Sequence, residues 1–462
     1  MRKVTGIQAI QGRRDPQEAC TGPWSIGGRR FACALALLFL AEASSGQTED
    51  EWRSWKSTTG TSIEAKLVAS DGKQATLEKR DGKQIKVPLS QLSAADQTFL
   101  AARKPPAEPR PKGDDKPKGE TTIKGVPAQP GTVSGKISCE ADPKWSYWLY
   151  LPKDFHAGRS WPVCFIMDAG GGSEGTLARY QPAAEHLGMI LAASTESKND
   201  FADSDLAMMA MLKDVYARVP VLEKVAIASG MSGGSRMAYL MAEMDRNVSG
   251  VLACASGAGV YLKEQAFRPA KLRSDTAICS LIGTNDFNRR EAVKSHKGFG
   301  KGARLIWFAG NHDWAGPDLI QDGLAEVYGR ILERSKARGL DSLRADFSRK
   351  QIEWAKTQVT SAPWLAYHWG EFLVKFPGDA AVQRDAAALV ASVANGPALV
   401  KAEKELQEFA GKYFADGDTK ADEAADPSRV KAAEKVAAQV DGSPQAALIK
   451  LMGQPVNSYR PN

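Results

Sequence analysis

Apolar and polar residues follow two different rhythms along this chain, and the change of rhythm divides it. Between residues 51 and 100 the period is two. Ser62-Ile63-Glu64-Ala65-Lys66-Leu67 and Gln84-Ile85-Lys86-Val87 put every second side chain on one face, as a half-buried strand requires. Asp71-Gly72 and Asp81-Gly82 separate such runs, and Asp-Gly is a strong hairpin-turn signal. The segment predicts a small all-β module closed by a short capped helix.

From about residue 131 strand-length apolar runs take over: WSYWLYLP, WPVCFIMD, MILAAST, KVAIASG, GVLACASG, TAICSLIGT and ARLIWFAG. Helical patterns such as LARYQPAAEHLG and SDLAMMAMLKDVYARV lie between them. Continuously apolar strands are buried on both faces, so residues 131–335 predict an α/β domain, a mostly parallel sheet with helices on both sides. Residues 340–462 change again. WLAYHWGEFLVKF, AAVQRDAAALVASVA and PALVKAEKELQEFAGKYF read as amphipathic helices ended by Gly, Asp or Pro signals. They predict an α-helical C-terminal region, packed on the α/β domain or serving a partner. Residues 101–130 fit neither rhythm. Rich in proline and charge and poor in large apolar residues, they predict an extended tether.

Composition adds bounds. With 462 residues, 43% hydrophobic and 25% charged, the chain is globular and long enough for two or three domains. The net charge of +7 is spread along the sequence, which gives no case for nucleic-acid binding. Arg29 and Arg30 precede FACALALLFLAEASSGQ, an apolar run of about ten residues followed by small residues, with the pattern of a secretory signal over residues 1–43. The run is well short of the roughly eighteen residues of a membrane span. The expectation is an exported protein, periplasmic or extracellular, with no membrane span. Of six cysteines, Cys139, Cys164, Cys254 and Cys279 lie beyond that segment. They lack metal-type spacing, and most fall inside strand-like runs as small hydrophobes. No metal or organic cofactor is implied.

In α/β sheets the chemistry gathers beyond the carboxyl ends of the strands, and the polar residues that follow each apolar run carry the candidates. Gly230-Met231-Ser232-Gly233-Gly234 fits the G-x-S-x-G elbow, in which a serine sits on a strained strand-to-helix turn. Side chains two positions either side would collide with neighbouring backbone, and the N–H of Gly233 would face a developing oxyanion. The chain contains 42 glycines and a second match, Gly171-Gly172-Ser173-Glu174-Gly175. Ser173 is the weaker candidate, because no apolar helix is predicted to start directly after it.

A serine nucleophile needs a base held by a third group. Of the five histidines, His156, His186, His296, His312 and His368, only His312 falls in a loop just after a late strand. Asp286, in the Gly-Thr-Asn-Asp turn, follows the strand between Ser232 and His312. The order Ser, Asp, His is that of α/β-hydrolases. Asp286 could also simply cap the next helix. Asp313 adjoins His312 and is poorly placed to orient it.

Two resemblances extend this reading. WRSW, the two DGK turns and VPLSQLSAADQTFL resemble the SLA-type homology domain over residues 51–100, which implies a Src-homology-3-like barrel with a peptide or protein partner. GMSGGSRMAYLMA, GTNDFN and GNHDW together resemble α/β-hydrolases of the poly(3-hydroxybutyrate) depolymerase and feruloyl esterase type. That resemblance implies an ester substrate, small or polymeric, and an acyl-enzyme formed on Ser232 with Asp286 and His312. The oxyanion donors would be Gly233 with Ala169 and Gly170 of the 169–172 loop. The chain departs from the family at Asp168-Ala169-Gly170-Gly171-Gly172, where many relatives carry a histidine-glycine pair, and Asp168 brings negative charge near the oxyanion. A peptidase of the same fold is the enzymatic alternative. A degenerate scaffold that binds cell-envelope partners is the non-enzymatic one.

Overall fold

The computed structural model describes residues 52–100 and 123–456, apart from 59–60, 71–73, 82, 94–95, 98–99, 124, 223, 261–267, 336–338, 417–421 and 423–425. The expected signal, most of the tether and parts of both Asp-Gly turns lie outside the described residues. The chain divides into two units, residues 1–113 and 114–462.

In the first unit the period-two runs form an antiparallel sheet, β1 (Arg53–Lys56), β2 (Ser62–Ser70), β3 (Gln74–Lys79) and β4 (Gln84–Pro88), paired in sequence order. After a short helical turn at Leu89–Gln91 the chain returns to β1. Leu92 bridges Ser57, and Ser93 N–H donates to Lys56 O at 2.7 Å. The sheet thereby curls around Trp55, which packs with Ala65, Ala75, Leu77 and Leu92 and donates its indole N–H to Ala65 O at 3.0 Å. A buried Trp keeps its polar edge satisfied in this way.

The second unit holds the eight-stranded sheet. Its strands are β5 (Ile137–Ser138), β6 (Ser146–Tyr150), β7 (Val163–Asp168), β8 (Ile190–Ser194), β9 (Ala226–Met231), β10 (Val248–Cys254), β13 (Ala277–Gly283) and β14 (Ala303–Phe308). A separate short ribbon pairs β11 (Gly259–Val260) with β12 (Arg268–Pro269). Strand order is β5-β6-β8-β7-β9-β10-β13-β14. β6 runs antiparallel to both neighbours, and the strands from β8 to β14 are parallel.

Successive side chains point to opposite faces of a strand, and both faces here are buried. Along β7, Cys164 and Ile166 enter one core while Val163, Phe165 and Met167 enter the other. α1 (Glu174–Leu187) and α5 (Pro317–Arg334) cover the first face; α2 (Ser204–Arg218) and α3 (Gly233–Met244) cover the second. α4 (Arg289–Phe299) lies between β13 and β14 in the chain. Cys139, Cys164, Cys254 and Cys279 are all buried and unbridged. One boundary needs correction. Ile123, Val126 and Ala128 are buried in the second core, so the expected tether does not extend to residue 130. Three small apolar anchors in a proline-rich context are too weak a pattern to stand out in the sequence.

The C-terminal region forms α6 (Asp341–Thr357), α7 (Pro363–Lys375), α8 (Ala380–Ser392), α9 (Gly396–Tyr413), α10 (Pro427–Gln439) and α11 (Pro444–Gly453). These helices share cores with the sheet. Phe347, Trp369, Phe372, Phe376 and Leu389 extend the core beneath α1 and α5. Leu406, Phe409, Phe414 and Ile449 pack with Leu305 and Trp307 of β14 and Ala292 and Val293 of α4. His368 meets Glu326 of α5 at 2.8 Å, and Trp369 donates to Asp322 at 2.8 Å. The exposed edge of a sheet is a liability unless covered, and α9–α11 pack against β14.

Candidate active site

A mostly parallel sheet in this strand order, with one antiparallel strand inserted and helices on both faces, is an α/β-hydrolase fold, and the carboxyl ends of β7, β9, β10, β13 and β14 are where its chemistry belongs.

Ser232 stands between β9 and α3 with φ 55° and ψ −118°. Positive φ in a non-glycine residue costs energy and is held only by its surroundings. Ala255, just past the neighbouring β10, is the next such residue, with φ 59°. Ser232 N–H donates to Cys254 O at 2.9 Å. Ser235 Oγ lies 2.6 and 2.7 Å from Gly230 O and Cys254 O, which share its one proton, and accepts the Cys254 N–H at 2.9 Å, which ties the elbow to β10. A Cβ on Gly230 would lie 2.4 Å from Met167 O, and one on Gly234 2.1 Å from the same oxygen. These two glycines let α3 pass the end of β7.

His312 reaches the elbow from the loop after β14. Its Nε2 lies 2.9 Å from Ser232 Oγ, and its Nδ1 lies 3.0 Å from Asp286 Oδ1. Asp286 follows β13 and is wholly buried. The same Oδ1 accepts the Asn288 N–H at 2.7 Å, so Asp286 shapes the turn before α4 as well as meeting the imidazole. Burial pushes its carboxyl above the ordinary range, opposed first by the His312 hydrogen bond. Asp313 turns away and accepts the Trp314 N–H at 2.7 Å. The remaining histidines are elsewhere: His186 against Gln351, His368 against Glu326, His296 on α4, and His156 ahead of β7 with its carbonyl taken by Trp161.

Ser173 caps α1, accepting the Thr176 N–H at 3.2 Å. That helix starts at Glu174, directly after Ser173 and earlier than the sequence pattern suggests, because the cap lies upstream of the first apolar position. Both oxygens of Asp168 are occupied, Oδ1 by the Gly170 N–H at 3.0 Å and Oδ2 by the Thr176 hydroxyl at 3.1 Å. Gly170 is therefore removed from the candidate oxyanion donors, its N–H being spent on Asp168. Gly171 and Gly172 donate to Asp168 O and Ser194 O at 2.9 and 2.7 Å. Ala169 is left as the loop's candidate, beside Gly233 at the start of α3.

Three residues were not singled out from the sequence. The Phe287 ring lies against the imidazole, tilted 33° to it, with ring centroids 3.9 Å apart. Asn288 donates Nδ2 to Ala255 O at 2.9 Å; both lie inside the quoted GTNDFN motif. Asn199 lies so close to Gly233 that a Cβ there would be 1.8 Å from its Oδ1, and no local pattern marks it. Asn199, Phe201, Met237 and Phe287 line a cleft of about 660 Å³ that opens on Ser232. Pockets of this size fit small organic ligands. Among the described residues no group of three His, Cys, Asp or Glu converges as a metal site, and no helix is long and apolar enough to cross a membrane.

Residues 44–104 match the family model of SLA1 homology domain 1. No curated protein matches the sequence. Solved structures similar to this chain include a ferulic acid esterase of the anaerobic fungus Anaeromyces mucronatus, 12% identical, covering 46% of this chain and 96% of that one, with TM-score 0.34. A feruloyl esterase module from Clostridium thermocellum, complexed with sinapinate, is 14% identical over 46% and 96% of the two chains, with TM-score 0.33. An acylaminoacyl peptidase from Pyrococcus horikoshii is 11% identical over 61% and 50%, with TM-score 0.34.

Proposed function

We propose that the second unit is a serine hydrolase that cleaves an ester through an acyl-enzyme. The observation that carries this reading is the hydrogen-bonded line from Ser232 Oγ through His312 to Asp286, drawn from the ends of three strands. Ser232 attacks the ester carbonyl while His312 Nε2 takes its proton, and Asp286 stabilises the imidazolium. The N–H groups of Gly233 and Ala169 receive the oxyanion. His312 then protonates the leaving alcohol, and water attacks the acyl-enzyme by the reverse route. Preference for an ester over an amide rests on the likeness of the three motifs to esterases. The contact between Ser232 and His312 favours a working site over a degenerate scaffold.

Export to the periplasm or beyond, suggested by residues 29–43, and a peptide or protein partner for residues 51–100 belong to the same proposal. Labelling with a fluorophosphonate serine probe tests its core, with wild type beside Ser232→Ala and Ser173→Ala in protein that begins at residue 44. Labelling lost only in Ser232→Ala supports the reading and leads to p-nitrophenyl and feruloyl esters as substrates. A folded wild type that takes no label refutes it.

A further inference from the structure

Arg289 opens α4 immediately after the turn that carries Asp286, and it is wholly buried. Its guanidinium reaches in three directions. Nη1 donates to Thr284 O, two residues before Asp286. Nη2 donates to Gln454 O at 3.2 Å, and Nε donates to Asp422 Oδ2 at 3.0 Å. Asp422 comes from the C-terminal region, between α9 and α10, and is also wholly buried. Its Oδ1 accepts from Arg429 Nη1 at 2.6 Å, and Arg290 Nε lies 3.1 Å from its Oδ2. Arg429 in turn donates to Gly453 O and Gln454 O, both at 3.2 Å. The ring of Phe414 lies 4.4 Å from the Arg289 guanidinium carbon and 5.8 Å from that of Arg429. One buried carboxylate thus organises three cations over an aromatic face.

The turn from Thr284 to Arg289 is held from two sides. Toward the site, Asn285 N–H donates to Gly310 O at 2.8 Å and Asn288 Nδ2 to Ala255 O. Away from the site, Arg289 ties Thr284 to the C-terminal region. A buried guanidinium stays buried only while its counter-charge and acceptors are in place. Without the Asp422 charge, Arg289 would move toward water and take Thr284 and the start of α4 with it.

We propose that Asp422 is a positioning residue for the acid of the site: the C-terminal region fixes, through Arg289, the turn that aims Asp286 at His312. This inference rests on the hydrolase reading for its catalytic consequence, and its structural half stands apart from that reading. Within the region after α8 this role belongs to Asp422 and the cations it holds, and the apolar core around Ile449 supports stability alone.

The test uses the full chain as wild type, Asp422→Asn, Arg289→Lys and Ile449→Ala. Fluorophosphonate inactivation yields kinact and KI separately, and amide hydrogen exchange reads the peptide 284–290. Asp422→Asn should lower kinact by about 10- to 100-fold, the scale on which small misplacements of reacting groups act. KI should change less than kinact, because of the cleft's lining only Phe287 and Asn288 lie on the turn while Asn199, Phe201 and Met237 do not, and exchange at 284–290 should accelerate. Arg289→Lys keeps the charge, loses the fork, and should give a smaller loss of the same kind; it carries the test if Asp422→Asn does not fold. Ile449→Ala, buried in the same C-terminal core but apolar, should lower Tm and leave kinact unchanged. Unchanged kinact and exchange in folded Asp422→Asn overturn the proposal, as does an equal loss in Ile449→Ala. If wild type takes no label, the reading of Ser232 has failed, and exchange alone decides whether Asp422 orders the turn.

Discussion

Replacing Asp286 by Asn is the substitution whose size the structure allows to be worked out. Asp286 Oδ1 accepts two hydrogen bonds, from His312 Nδ1 at 3.0 Å and from the Asn288 N–H at 2.7 Å, while Oδ2 is buried without a partner among the described residues. An asparagine could place either its oxygen or its NH2 at the Oδ1 position. The Asn288 N–H decides between them, since an NH2 there would set donor against donor and leave a buried N–H unsatisfied, at about 1–3 kcal/mol. The oxygen therefore stays, and His312 keeps the tautomer with its proton on Nδ1. What is lost is charge. Two unit charges about 4 Å apart interact by about 4 kcal/mol at an effective dielectric constant of roughly 20. The hydrogen bond also weakens from charge-assisted to neutral, a loss of about 1–2 kcal/mol that is partly the same energy. A net loss of about 2–4 kcal/mol in the transition state is a fall in kcat/KM of about 30- to 1000-fold. That is less than the roughly 10⁴-fold that follows when the same substitution inverts the imidazole tautomer in a serine protease. The assay is p-nitrophenyl ester hydrolysis at saturating and sub-saturating substrate, beside circular dichroism to establish folding. A fall under about tenfold would remove Asp286 from the role of acid, and a fall of 10⁴ or more would refute the argument that Asn288 fixes the amide.

Other substitutions test separate parts of the argument. Gly234→Ala puts a methyl 2.1 Å from the Met167 carbonyl oxygen, whereas Gly233→Ala meets the tip of the Asn199 side chain, which can swing aside. Gly234→Ala should therefore cost about 3 kcal/mol or more in urea unfolding and Gly233→Ala about 1 or less; equal costs would show that β7 and α3 are not in tight contact. Asp168→Asn can still accept the Gly170 N–H and meet the Thr176 hydroxyl, so it should fold normally and raise ester turnover by removing charge beside the oxyanion. A tenfold loss would instead make the carboxylate necessary to the loop. Glu326 gives a pH effect: burial alone would push its carboxyl up, but His368, Arg304 and Arg330 outweigh burial and hold it below its ordinary 4.5. A depressed carboxyl stabilises the fold fully above that value, and its contribution is lost as pH falls below it. Wild type should lose urea stability more steeply than Glu326→Gln between about pH 5 and pH 3, and parallel curves would refute the assignment.

Local pattern determined a good part of this protein. The unbroken apolar run through Cys164, Phe165 and Ile166 predicts a strand buried on both faces, and the sheet sends those side chains into two cores. The spacing of Gly230 and Gly234 around Ser232 predicts an elbow, and the structure shows which oxygen the missing side chains would strike. Such features are legible because their causes lie within a few residues of one another: the period of a strand, the sterics of a turn, the order of loops at one end of a parallel sheet.

Tertiary structure decided the rest, wherever the deciding contact joins distant parts of the chain. Only the fold shows that Gly170 spends its N–H on Asp168, because that depends on how the loop bends after β7. His368 looks like an isolated residue in an aromatic helix until α5 brings Glu326 against it. The sequence leaves open whether the C-terminal helices pack on the α/β domain or serve a partner, because their amphipathic pattern shows an apolar face but not what covers it. Packing against β14 and α4 makes them part of the same unit. Arg289 and Asp422, 133 residues apart, carry no mark in the sequence of the ion pair they form. A charge in a linear sequence is by default a surface charge, and only burial beside a partner turns it into a structural one.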